Sequence, residues 1–96
     1  MIHEIEKIKI VKEILFERNG ASLYAYIEND TIYLHSFNSI IENHGYFTSL
    51  LKEALEYLKD KYYGYGIYAD CNTKGTIVSL KCGGYINKEI NRIEFK

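Results

Sequence analysis

Proline and tryptophan are absent from this 96-residue chain, methionine occurs once and cysteine only twice. Each scarcity narrows the reading. Without proline, the turns must be marked by glycine, asparagine and aspartate. Cys71 and Cys82 form no C-x-x-C pair and stand at no spacing that suggests zinc, so no metal site is expected. They read as two reduced, half-buried thiols of a cytosolic protein. Basic charge is not in excess: 12 Lys and Arg, scattered along the chain, meet 13 Asp and Glu for a net charge of -1. The broad cationic footprint of a duplex-binding protein is missing, which sets nucleic acid aside as a partner. Met1 is followed by the mixed segment Ile2-His3-Glu4-Ile5-Glu6 rather than by an apolar signal core, and no later apolar run could span a bilayer. A cytoplasmic protein without membrane contact is the expectation.

What is present is the material of a packed core. Hydrophobic residues make up 47% and charged residues 26%, within the range of globular domains. A chain this short reads as one domain over 1–96, so any active site must lie on this core or at an oligomer interface. No linker, repeat or low-complexity segment interrupts it.

Residues 8–17 alternate loosely, with Ile14 and Phe16 on one side and Glu13 and Leu15 on the other, which favours a strand; a helix through Ile5, Ile8, Val11 and Leu15 also fits. Asn19-Gly20 is the signature of a type I′ hairpin, because both positions need positive φ. Residues 22–28 follow as a strand, then Asn29-Asp30 as a turn and 31–38 as a further strand, giving an antiparallel meander. From Gly45 the period changes to that of a helix, with Phe47, Leu50, Leu51, Ala54, Leu55 and Leu58 on one face and an end near Tyr62. Residues 67–71 alternate as a strand, 73–82 suit a short helix with Asn72 as N-cap and Gly83 as its end, and 85–95 suit a last strand or hairpin. Strand, helix, strand over 31–71 predicts a parallel pair with a crossover.

Two landmarks carry the functional signal. Glu42-Asn43-His44-Gly45-Tyr46-Phe47-Thr48 opens the long helix, and a helix N-terminus offers unpaired N–H groups and partial positive charge to a phosphate, with Gly45 removing the side chain at the point of approach. The second is Asn72-Thr73-Lys74-Gly75 leading to Gly83-Gly84-Tyr85. Together, and with the strand between them, they resemble the cofactor-binding half of the GNAT superfamily of N-acetyltransferases over roughly residues 20–86. The resemblance implies a mixed, mostly antiparallel twisted sheet of α/β (α+β) class, with a central parallel strand-helix-strand unit, one long and one short helix. It implies acetyl-CoA as cofactor, held by Ser39 and Ile40 at the end of the strand, by Asn43, His44, Gly45, Tyr46, Phe47 and Thr48 in the phosphate loop, and by Asn72 beside the pantetheine arm. The pantetheine amides would pair with strand edges 31–39 and 67–71 where the two parallel strands splay. Three positions depart from the family pattern, one of them Phe47, which replaces the second small residue of the phosphate loop. Glu42 stands where a cation or amide is preferred, and Ser79 stands, seven residues after Asn72, where many members carry a tyrosine acid.

Acetyl transfer to a lysine-like amine, with a reference pKa of about 10.4, needs a base or a water relay, whereas a thiol leaving group near 8.5 needs less help. His35, Asp70 and Glu42 are the candidate bases in that order, and Ser79 occupies the acid position. Tyr24, Tyr26, Tyr33 and Phe37, drawn from 10 tyrosines and four phenylalanines, fall on one side of the predicted strands. That aromatic face is expected to bury against the N-terminal segment, a second copy of the chain or a protein target. The reading is an acetyl-CoA-dependent N-acetyltransferase acting on an amine of a small molecule or a protein lysine; the alternative is a non-catalytic module of the same fold that binds or inhibits through its aromatic face.

Overall fold

The computed structural model describes residues 2–8, 11–40, 45–71 and 73–95. Alternating sequence becomes strand and 3.6-periodic sequence becomes helix in the order β1 (Ile2–Ile8), β2 (Val11–Arg18), β3 (Ala21–Glu28), β4 (Thr31–Ser39), α1 (Tyr46–Lys61), β5 (Gly66–Asp70), α2 (Thr73–Lys81), β6 (Tyr85–Asn87) and β7 (Arg92–Phe95). The class is mixed α+β. One seven-stranded sheet runs in the order β1-β2-β3-β4-β5-β7-β6, and all its neighbours are antiparallel except β4 and β5.

The turns are made as their chemistry dictates. Asn19 and Gly20 have φ of 50° and 80°, and Asn29 has φ of 54°, so the β2–β3 and β3–β4 hairpins close on residues that tolerate the left-handed region. Residues 2–8 form a further antiparallel strand on β2. The helix through Ile5 and Leu15 is thereby excluded, and the N-terminal segment extends the sheet edgewise instead of covering the aromatic face. Register does the rest. Ile14, Ala25, Leu34, Ala69 and Ile93 are paired strand to strand, so they point to one face, where α1 packs Leu50, Leu51, Ala54, Leu55 and Leu58 against them. All ten of these side chains are buried. The next rung presents Glu13, Tyr26, Tyr33, Tyr68 and Glu94 to the other face, which no helix covers among the described residues. The smallest extent of the molecule, 20 Å, matches one sheet and one helix layer at about 10 Å each.

One strand departs from simple alternation. Tyr24 pairs with His35 but Ser22 pairs with Asn38, so β4 carries an extra residue, and Ser36 takes it up at φ of 57°. Beyond this bulge the faces exchange. Phe37, expected beside Tyr33, instead turns to the helix side, its ring 5.0 Å from that of Phe47. Tyr24, Tyr26 and Tyr33 keep the open face.

At the far end, α2 returns into β6 through a contact too close for a side chain. The Gly84 N–H donates to the Ser79 carbonyl at 2.9 Å, and a Cβ added at Gly84 would stand 2.9 Å from that same oxygen and 2.8 Å from Ile93 Cγ2. Backbone and buried core offer no easy retreat. Gly84→Ala should therefore lower unfolding stability by about 1–3 kcal/mol, read as a shift of the urea midpoint at unchanged slope; an unshifted midpoint would show that β6 can move away from α2.

Candidate functional site

The parallel pairing of β4 with β5 extends over only four rungs, from Thr31 with Gly66 to Leu34 with Ala69. The rung that would follow is His35 opposite Asp70. It is not formed: β4 continues along β3, while Asp70 pairs with Arg92 of β7 on its other side. Residues 35–38 thus have no strand partner on the β5 side, at the carboxyl ends of the two parallel strands, where open sheets collect ligands. A cleft of about 210 Å³ lies there on the open face, lined by Tyr33, His35, Tyr68, Asp70 and Arg92 together with Leu34 and Ala69.

The side chains of this cleft are held individually. His35 stacks on Tyr24 at 5.5 Å with 16° between the rings, and its Nδ1 shares a hydrogen bond of 2.9 Å with Ser36 Oγ. The bulge thereby supplies the histidine's orienting partner. Its Nε2 has no polar partner among the described residues. The Arg92 guanidinium lies 4.8 Å from the centre of the Tyr33 ring, and Tyr33 in turn meets Tyr68 at 6.1 Å. Among the described residues neither Arg92 nor Asp70 forms an ion pair, although their Cα atoms are cross-strand partners. His35 and Asp70, proposed from sequence for their chemistry, are brought to one cleft. Arg92 was missed; its place in a short terminal strand gave it no periodicity or motif to stand out from.

On the helix side of the same gap, Gly45 precedes α1 with φ of 71° and ψ of 7°. Among the described residues no side chain caps the helix, and Ser49 N–H donates to the Gly45 carbonyl at 3.0 Å. A Cβ at Gly45 would meet nothing within 4 Å among the described residues, so glycine answers the backbone conformation rather than a crowded neighbour. Tyr46, Phe47 and Thr48 form the first turn, all half-buried. Ser39 ends β4, and Ile40 is 81% exposed with its N–H donated to the Gly20 carbonyl at 3.0 Å. Glu42, Asn43, His44 and Asn72 lie outside the described residues.

Ser79 differs most from its expected role. It is wholly buried on α2 and its Oγ has no hydrogen-bond partner among the described residues. A hydroxyl shielded from solvent cannot exchange its proton with a ligand unless the helix moves. Cysteine also divides. Cys71, expected half-buried, is exposed at the end of β5, while Cys82 is half-buried with its thiol 3.7 Å from the Thr48 carbonyl. Burial pushes the Cys82 thiol up from its ordinary value, and the Lys52 ammonium only partly opposes this. Among the described residues no group of three His, Cys, Asp or Glu side chains could hold a metal ion, and no helix is long and apolar enough to cross a membrane.

No protein-family model, curated protein or solved structure matches this chain.

Two outcomes follow from these placements. Ser79→Ala should be neutral or stabilising by about 1 kcal/mol, because it removes a buried hydroxyl that lacks a partner; a loss larger than that in thermal or urea unfolding would show that the hydroxyl is bonded. In the folded protein at mildly alkaline pH, Cys71 should react with a maleimide well before Cys82, which stays protonated and covered. Mass spectrometry of single-labelled protein checks the order, and equal rates would contradict it.

Proposed function

We propose that this chain is a minimal GNAT-like domain that binds acetyl-CoA and acetylates an amine. The observation that carries the reading is the splay: a parallel pair abandoned after Leu34 and Ala69, with the N-terminus of α1 on one side of the sheet and a cleft holding His35 and Asp70 on the other. The element order supports it as well, since the phosphate loop, long helix, strand, short helix and Gly-Gly-Tyr step fall in the sequence the family uses.

The fit to the cofactor rests on this geometry. The first turn of α1, behind Gly45, would receive the pyrophosphate through backbone N–H groups. The β4 edge over 35–38 would pair with the pantetheine amides as a sheet pairs with an added strand. Asn43, His44 and Asn72 remain part of the proposed cradle. Acetyl-CoA, when bound, supplies an acyl group activated as a thioester.

The chain's own task is to hold the amine and take its proton. His35 is set for this by its Tyr24 stack and by the Ser36 hydroxyl, which fixes one ring nitrogen and leaves the other toward a ligand. Asp70, across the gap and without an ion-pair partner among the described residues, attracts the amine as a cation before the proton leaves. Ser79, being buried, is withdrawn from the acid role in this proposal, so the departing thiolate leaves as the anion and takes its proton from solvent, which its modest basicity permits.

The buried Ser79 also favours the second reading, a module of this fold that binds without turnover. Calorimetric titration with acetyl-CoA tests the first part: saturable binding is expected, and none at millimolar ligand would remove the enzyme reading. Thiol release across a panel of amines tests the second. His35→Gln should reduce that release by roughly 100-fold with cofactor binding retained, whereas binding without release for every amine would point to the inactive module.

A further inference from the structure

The cleft on the open face holds a feature that acetyl transfer to a simple amine does not require. Arg92 reaches it with its guanidinium fixed over the Tyr33 ring at 4.8 Å and without any carboxylate partner among the described residues. The two acids that could have neutralised it do not. Asp70 is its cross-strand partner yet forms no ion pair with it, and Glu94 accepts a hydrogen bond from Asn87 Nδ2 at 3.0 Å.

A half-buried arginine that is oriented by an aromatic face and lacks an acidic partner is poised to present its donor fork to an anion, for which carboxylate is the planar match. Asp70 lines the same cleft and offers the complementary charge. The two opposite charges stand on neighbouring strands, β5 and β7, with tyrosine rings forming the wall between them and β4. At about 210 Å³ and open at its mouth, the cleft has room for the charged end of a small molecule.

We propose that the cleft binds a free α-amino acid, the carboxylate on Arg92 and the ammonium toward Asp70 and His35. The assignment of that amine as the acetyl acceptor rests on the acyl-transfer reading above; the recognition of the amino acid rests on the cleft alone. A simple monoamine would leave Arg92 unused, and a simple carboxylic acid would leave Asp70 unused. An amino acid, with both charges close together on one small molecule, uses the two side chains of neighbouring strands at once.

The test uses the whole chain without acetyl-CoA, so that its outcome is independent of cofactor binding. Nuclear magnetic resonance titration with each common L-amino acid identifies the best binder, which is then compared with its carboxamide and with its deaminated acid. The expected result is saturable binding at millimolar or lower concentration, weakened by roughly tenfold or more in the carboxamide. Arg92→Met should erase the preference for the acid over the amide, Arg92→Lys should retain part of it, and Asp70→Asn should weaken the amino acid but not its deaminated acid. An unchanged spectrum outside the cleft establishes that each variant is folded. Failure of every amino acid to bind, equal binding of acid and amide, or an indifferent Arg92→Met would each overturn the proposal. Amino-acid binding without acetyl-CoA binding would keep the recognition site and discard the acyl-transfer reading; the converse would do the reverse.

Discussion

Four rungs of parallel pairing hold the molecule together. On one side of them lies the meander β1–β4, and on the other the trio β5, β7 and β6; apart from the helices, the pairs from Thr31–Gly66 to Leu34–Ala69 are what joins the two. Neither half could bury its apolar row alone. With the rungs in place, Ile14, Ala25 and Leu34 continue into Ala69 and Ile93, and α1 and α2 close over a single core. A shift of one residue at this junction would turn the apolar row of β5 and β7 to the wrong face, so the core fixes the register as firmly as the register fixes the core.

The shortness of the junction is as consequential as its presence. The Ser36 bulge follows its last rung almost at once, and a bulge bends its strand and increases local twist. β4 therefore follows β3 away from β5. Strand edges inside a sheet must satisfy their N–H and C=O groups with water or with a ligand, since no neighbouring strand can. The same extra residue sends Phe37 to Phe47 on the helix side and gives His35 a hydroxyl partner. One local irregularity thus opens the gap, supports the start of α1 and orients a side chain at the rim.

Elements whose signal is local were legible in the sequence. The apolar stripe of α1 and the Asn19-Gly20 turn depend on neighbours three or four residues away, and both appear as read. The strand β1 was not visible because its partner, β2, decides whether a mixed polar and apolar segment becomes strand or helix. The bulge was hidden for a different reason: Ser36 is an ordinary residue, and only the pairing of Ser22 with Asn38 reveals the added position. Among the site residues, His35 and Asp70 could be nominated by chemistry, but their meeting depends on the unformed rung between them. Ser79 could be nominated by spacing, and its burial depends on how α2 settles against the core.

The division of chemistry between the two sides of the same rungs bears on what the open face is for. Facing the helices, successive strands contribute isoleucine, leucine and alanine, the composition of a surface that never meets water. Facing outward they contribute Tyr24, Tyr26, Tyr33 and Tyr68, none of them fully buried, with His35, Asp70 and Arg92 gathered at the cleft. Tyrosine suits a surface that is apolar in body and wet at its tip. A rigid ring is also what keeps Arg92 in place without an acidic partner to quench it. With its guanidinium on that ring, Arg92 forms no ion pair with Asp70, its cross-strand neighbour, among the described residues, and both side chains line the cleft.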